Sequence, residues 1–437
     1  MWLAGHIDSR AGNLYHFRSQ MQQIMNRSHS RTKTRPRRIM LFEPGVSGHH
    51  PTYIEYLIRA WQRDVADAEL WIAVSSEFPR LHSNIYALGA HERIFFHEIA
   101  VRRGVTARLG AGALSGVEGP MLEWFALKRA VQQVGPSACL VMYVDGLLAV
   151  PLSLGLRVEC PLWGIYFRPS FHYPRLAHAF PGKGRRLRAA RQRMAIKAVA
   201  RWRNLEGLFI LDPYAIEPVR EVARNAFYAV ALADPTPAVP AIDGPRFRAE
   251  LGIPEGRKVA LLFGKLGPRK GAVEVLRALP FLPKEMQHDL CVLLVGQVPR
   301  FAAAALHQAI DTARRLSTAQ IVLVQDYVAE SEVMGYFALC DVVLAAYDEH
   351  VGMSGIQVRA AQAGKPILSS NYGLISELTH QFRLGLTAAP KCPRKLACAW
   401  EKLLTSPEVY CDAASMAEFA RANTVDAFAH TIVSHLA

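Results

Sequence analysis

The sequence predicts an α/β protein built from two doubly wound, Rossmann-like domains facing a central cleft. Three observations predict it. Short apolar strands alternate with helical patterns, as expected of a parallel sheet covered on both faces. The alternation runs twice, with a Pro-rich break at Asp234-Pro235-Thr236-Pro237 and Pro240 between the series. The chain has 437 residues, 51% of them hydrophobic, enough to give two domains of ordinary size a core.

In the first series, Ile39-Met40-Leu41-Phe42 is a short apolar strand and Pro44 to His50 a Gly-bearing turn. Ile54, Leu57, Ile58 and Trp61 then recur at i, i+3, i+4 and i+7, one face of a helix. Further strands are expected at Leu70–Val74, Leu140–Val144, Trp163–Phe167 and Leu208–Leu211. The apolar run from Cys139 to Leu156 contains Asp145, Pro151 and glycines, so it reads as a buried strand and turn rather than a membrane span. The second series has five expected strands, at Val259–Phe263, Cys291–Val295, Ile321–Val324, Val342–Ala345 and Pro366–Ser369. Its helices are expected near 271–279, 300–316, 331–340, 355–363 and 374–380. The expected division is a basic leader at 1–37, an N-terminal domain at 38–235, a C-terminal domain at 236–412, and a final helix at 413–437 packing back on the N-terminal domain. The leader carries six Lys or Arg between Arg27 and Arg38; it reads as a disordered tail, a start codon placed too early (Met25 and Met40 are alternatives) or a segment binding an acidic surface.

Net charge is +14, which favours anionic partners such as nucleotide phosphates, an acidic membrane or nucleic acid. Seven cysteines show neither a CxxC pair nor zinc spacing, and no apolar signal stretch opens the chain, so a reduced, cytoplasmic setting is expected. No helix-turn-helix, zinc finger or RNA-recognition motif accompanies the charge, which argues against nucleic acid.

In open α/β sheets ligands bind beyond the carboxyl ends of the strands. The strongest signal lies at such an end: Phe263 is followed by Gly264-Lys265-Leu266-Gly267-Pro268-Arg269-Lys270-Gly271 and a helix. Glycines allow close backbone approach, Lys265, Arg269 and Lys270 neutralise a diphosphate, and the helix offers free N–H groups. A second segment, Gly352 to Pro366, holds Ser354 as an N-cap and Gly364 as a helix stop. The helix start at Gly355 either faces the same phosphate or is simply a capped, buried helix. In the N-terminal half, His49 and His50 follow a strand and either bind acceptor or phosphate or cap the turn. Asp145 follows another strand and either acts as a base toward an acceptor hydroxyl or caps a turn. Arg168 and His172 sit at a similar strand end.

On these motifs the C-terminal half resembles the donor-binding domain of the retaining glycosyltransferases of family 4, whose fold is called GT-B. The resemblance rests on Gly264-Lys265 and Lys270-Gly271, on Leu294-Val295-Gly296, Tyr327-Val328 and the Asp341 strand. It continues through Ala363-Gly364-Lys365-Pro366, Gly373 with Glu377, and Gly385-Leu386, covering roughly residues 236–390. It implies transfer of a sugar from a nucleoside-diphosphate sugar to a glycan or lipid-linked acceptor, with retention, without a metal or other cofactor. The family carries two glutamates, seven residues apart, that engage the sugar and ribose. Aligned on Gly364-Lys365-Pro366, Val351 and Arg359 stand there instead; a register with an insertion pairs Glu349 with Gln357. The resemblance therefore offers Asp348, Glu349 or His350 as sugar ligands and Arg359 as a further cation near the phosphates. Two rivals share the architecture: a sugar-nucleotide epimerase, and a degenerate subunit that binds without turning over.

Residues 183–203 contain nine Lys or Arg and no Asp or Glu, and Leu187, Ala190, Met194, Ala198 and Trp202 form one apolar stripe. Either that stripe packs on the sheet or the helix lies on an acidic membrane, making the protein peripheral.

Overall fold

The computed structural model describes residues 36–46, 48, 50–100, 115–176, 185–237, 244–326 and 328–437. Arg37–Ala437 form one compact unit containing two sheets.

The first sheet has seven strands: β1 (Arg37–Glu43), β2 (Ala68–Ser75), β3 (Ile94–Ile99), β4 (Ala138–Val141), β5 (Leu162–Tyr166), β6 (Gly207–Ile210) and β7 (Tyr228–Ala231). Their order is β3-β2-β1-β4-β5-β6-β7, and every ladder is parallel. The second sheet has six: β8 (Lys258–Phe263), β9 (Leu290–Val295), β10 (Gln320–Val324), β11 (Val342–Ala345), β12 (Ile367–Ser370) and β13 (Gly385–Ala388). Their order is β10-β9-β8-β11-β12-β13, again all parallel. Parallel sheets are buried on both faces, so their strands read as continuous apolar runs. In β1, Ile39 to Phe42 are buried, as is every residue of β9. Each sheet accordingly has a hydrophobic cluster on either face. Strand order reverses between β1 and β4 and between β8 and β11, and ligands enter such sheets at those switch points.

Strands β3, β7 and β13 were not expected from the sequence. All three are edge strands, where one flank is open and a continuous apolar run is not required. The second sheet therefore has six strands, not five. The run at Cys139–Leu156 is a strand followed by a short helix, α2 (Asp145–Ala149), rather than a strand and turn. A long helix, α1 (Ser115–Val134), lies unforeseen between β3 and β4. The leader lies outside the described residues up to 35, but Arg37 and Arg38 belong to β1, where Arg38 bonds Glu69 and the Val134 carbonyl.

In the helix over 185–202, α3, the stripe does not pack on the sheet. Ile196 and Val199 face the sheet, whereas Leu187, Met194 and Trp202 are 56, 59 and 41% exposed. The apolar stripe read from the sequence points outward. At the other end of the chain, α4 (Ala413–Ala422) sets Met416 and Phe419 in the core of the second sheet. The next helix, α5 (Val425–Leu436), sets Phe428, Ile432 and Leu436 in the core of the first. Asn423, between them, ties this crossing to the other one. Its Oδ1 accepts from the Asp234 amide at 2.9 Å, and its carbonyl accepts from the Thr236 amide at 3.2 Å.

Candidate functional site

The basic loop begins where β8 and β9 end side by side. Gly264 and Gly296 have φ of +113° and +127°, and a Cβ on Gly296 would overlap the Gly264 carbonyl. Only glycine permits that approach. Gly271, at φ +74°, backs onto the Ala346 carbonyl in the same way. The loop is thus pressed against the segment leaving β11. The Lys270 ammonium donates to Tyr347 Oη at 2.8 Å and sits 4.2 Å from the centre of that buried ring. The Asp348 amide donates to the Arg269 carbonyl at 2.8 Å, and the Arg269 guanidinium donates to Nδ1 of His350. His350 is buried, and burial, followed by the charges of Arg269 and Lys270, lowers its imidazole to about 3. A neutral ring accepting at Nδ1 carries its proton at Nε2, which donates to the Met353 carbonyl at 3.3 Å. His350 therefore works as a neutral connector between the cationic loop and Met353.

A cavity of about 180 Å³ opens beside the loop, lined by Phe263, Gly264, Lys265, Gly296, Asp326 and Val328 among others. It lies beyond the carboxyl ends of β8, β9 and β10, where an open α/β sheet takes ligands. Tyr327 falls outside the described residues.

The remaining donor-side residues divide. Glu349 is exposed and held at φ +49°, while Asp348 pairs with Lys391 at 2.9 Å. Ser354 has the extended backbone of an N-cap before the helix at 355–362, α6, but its hydroxyl makes no capping bond. Gly355 faces Asp234, whose Oδ2 lies 3.7 Å from where a Cβ would stand. Arg359 does not join Lys265, Arg269 and Lys270. Its guanidinium pairs with Glu330 at 2.6 Å, on the helix at 330–339, α7, and its Nη1 is buried without a hydrogen-bond partner. Gln357, of the alternative register, is fully buried and donates to the Ile375 carbonyl and Thr379 Oγ1, so it braces the core.

Across the cleft, Glu43 ends β1 as a buried carboxylate. It accepts from the Gly45 amide and lies 2.6 Å from Nδ1 of His50, the first residue of the helix at 50–64, α8. Burial by itself would lower the His50 pKa; the Glu43 hydrogen bond and the charges of Glu43 and Glu123 outweigh it and raise it. Glu123 in turn is pushed up by burial and by Glu43. His49 lies outside the described residues. Glu43 was missed, although an acid placed directly on a strand end, as in Phe42-Glu43-Pro44, is the signal that finds it.

Asp145 does not present a carboxylate to the cleft as a base would. Its two oxygens accept from the amides of Phe167 and Arg168, each at 3.0 Å. Burial pushes its pKa up to about 6 against the downward pull of those bonds. It braces the β5 exit. His172 likewise turns inward, 3.1 Å from buried Asp212. Its neighbour Tyr173 crosses to the second sheet's core and accepts from the Gly352 amide at 3.0 Å, while Gly352 abuts the Phe167 carbonyl. Phe167 stacks on Tyr143, whose ring lies 5.7 Å from His50. A continuous path of contacts thus joins the cationic loop to the Glu43–His50 pair: Arg269, His350, Met353 and Gly352, Phe167, Tyr143.

Residues 243–422 match the model of the family described as "Glycosyl transferases group 1". That match covers less than half of the chain. A D-inositol 3-phosphate glycosyltransferase of Streptomyces avermitilis is 29% identical over 130 residues, 29% of this chain and 28% of that protein. The match spans less than a third of that relative's length. Two solved structures share the whole fold. Sucrose-phosphate synthase from Thermosynechococcus elongatus superposes with a TM-score of 0.67 at 15% identity, over 91% of this chain and 98% of that one. Anabaena HepE, in complex with UDP and glucose, gives 0.62 at 15% identity, over 92 and 99%. The two parallel sheets are those of the GT-B fold. The group 1 domain contains the whole cationic loop, the cavity beside it and α6.

Proposed function

We propose that the chain is a glycosyltransferase that moves a sugar from a nucleoside-diphosphate sugar to a glycan or lipid-linked acceptor, with retention. The observation carrying this reading is the loop Gly264–Gly271, whose Lys270 and Arg269 are keyed through Tyr347 and His350 to the segment opening α6. Breaking the bond from anomeric carbon to phosphate leaves charge on the departing diphosphate. Lys265, Lys270 and the amides at Gly355 would hold that charge as it develops, and fixed donors do so without reorganising at the moment of reaction. In this reading the cavity lined by Gly264, Gly296 and Val328 takes the nucleoside. His50, oriented by Glu43, faces the acceptor. Asp145 positions the β5 exit and takes no proton.

UDP is the first nucleotide to test, because HepE was solved with UDP and glucose. The test is a thermal-shift series with UDP, GDP, ADP, CMP and their sugar conjugates, since a ligand of the native state raises the midpoint with the logarithm of its concentration over Kd. A selective shift with one diphosphate supports the reading, and its absence with all of them overturns it. The Arg359–Glu330 pair, at one of the family's glutamate positions, favours a second reading in which the domain binds a nucleotide without transfer. Selective binding with no turnover of the sugar conjugate, across a panel of acceptors, would establish that one.

A further inference from the structure

The outward face of α3 plays no part in the donor site, and the inference drawn from it goes beyond that reading. Residues on an α-helix step by 100°. Ile196 and Val199, with Ala189 and Ala200, form the inward face against the first sheet. On the opposite face lie Leu187 and Met194, both more than half exposed, with Ala198 between their row and Trp202 at the C-terminal end. Exposed cations line both edges: Arg186, Lys197 and Arg201 on one side, Arg188 and Arg191 on the other. No Asp or Glu occurs from 183 to 203. The patch extends beyond the helix. Trp202 packs over Gly155, next to Leu154, which is 65% exposed. On the helix at 216–223, which packs against α3, Glu217 and Glu221 are already paired with Arg220 and Arg175.

A helix that only completes a core has no need of a second apolar row facing water. We propose that this face docks on an anionic membrane surface, with Leu187, Met194 and Trp202 entering the interfacial layer and the flanking cations meeting lipid phosphates. Charge selects the occupant. A second copy of the same patch would set cation against cation, and a nucleic acid has no use for Leu and Met at the centre of the contact. The contact is interfacial, since no described helix is long and apolar enough to cross a membrane. On its inner side α3 is tied to the cleft. Gln192 donates to the Arg168 carbonyl and accepts from the Ser170 amide, each at 3.0 Å. The loop leading to Tyr173 would then stand at a fixed height above the bilayer. That last consequence rests on the donor-site reading; the docking does not.

The test is sedimentation of the full chain with vesicles of phosphatidylcholine alone or with about 30% phosphatidylglycerol, without nucleotide. Binding is expected to the anionic vesicles only, and to weaken as salt rises. The Leu187→Glu/Met194→Glu double variant should lower the partition coefficient roughly tenfold or more. Its melting midpoint should match wild type, because both side chains are exposed. Arg191→Glu/Lys197→Glu/Arg201→Glu should lose binding while keeping the apolar row. Wild-type protein that ignores anionic vesicles would overturn the proposal. So would equal binding by the Leu187/Met194 variant, or a dimer in solution that this variant dissolves. Because no nucleotide is present, failure here leaves the donor-site reading untouched, and failure of nucleotide binding leaves this one untouched.

Discussion

Removing the Lys270 ammonium should weaken nucleotide binding while sparing the fold. Lys270 is half-buried, donates to Tyr347 Oη at 2.8 Å and lies beside Arg269, so its substitution removes a cation from a cationic neighbourhood. No acid depends on it, and Tyr347 keeps its own packing in the core of the second sheet. The melting midpoint of Lys270→Ala should therefore stay close to wild type. A hydrogen bond to a charged partner contributes about 1.5–3 kcal/mol, so Kd for the diphosphate should rise roughly 10- to 100-fold. Transfer should fall by about two to three powers of ten if the same cation also holds the leaving charge. Tyr347→Phe is the companion: it removes the hydroxyl anchor and keeps the ring under the ammonium, so a loss of only about 0.5–1.5 kcal/mol in affinity is expected. Titration calorimetry with UDP, or with whichever diphosphate shifts the melting point, reads both. A Lys270→Ala protein that folds and binds the nucleotide as tightly as wild type would refute the reasoning.

Gly271→Ala should cost about 2 kcal/mol or more, because the αL conformation penalises a side chain by roughly 1–2 kcal/mol and the new Cβ meets the Ala346 carbonyl; urea denaturation measures it. Asn423→Ala removes the acceptor for the Asp234 amide and the side-chain bond to the Phe419 carbonyl, so a loss on the order of 2 kcal/mol is expected in the same assay. Asp234 has its carboxyl raised from the ordinary 3.8 to about 6 by burial, against the pull of the Tyr53 hydroxyl and Arg359. A raised folded pKa contributes stability that is complete below the unfolded pKa and lost as pH climbs through the folded one. Asp234→Asn should remove a decline on the order of 3 kcal/mol between about pH 4 and 6, read as the difference between the two proteins' stability-against-pH curves.

What the sequence revealed follows from what each feature needs locally. A central parallel strand must be apolar throughout, so β1, β8 and β9 stood out, whereas β3, β7 and β13, each with an open flank, did not. The cationic loop was legible because glycines and cations sit together directly after Phe263. Its partners were not, since nothing in the spacing of Tyr347 or His350 says that the chain returns beside Lys270 about eighty residues later. Asp145 and His50 illustrate the same limit from opposite sides. Both follow a strand and both are titratable. Yet Asp145 spends its oxygens on the amides of Phe167 and Arg168, while His50 meets a carboxylate that raises its pKa. Which fate applies depends on β5 and β1, not on the residue's own neighbours.

The orientation of α3 gives the same lesson a consequence. Its sequence holds two apolar rows, Leu187–Met194–Ala198 and Ala189–Ile196–Val199, and periodicity alone cannot say which one the sheet takes. The inward face holds Ile196 and Val199, buried in the first sheet's hydrophobic cluster, and Gln192, on the same inward side, is engaged with Arg168 and Ser170. Had the Leu187–Met194 row turned inward, Gln192 would have faced water and the loop before Tyr173 would have lost its brace. The outward row is therefore tied to the shape of the cleft: the contacts that steady Arg168 and Ser170 set Leu187 and Met194 facing away from the sheet, where both are more than half exposed.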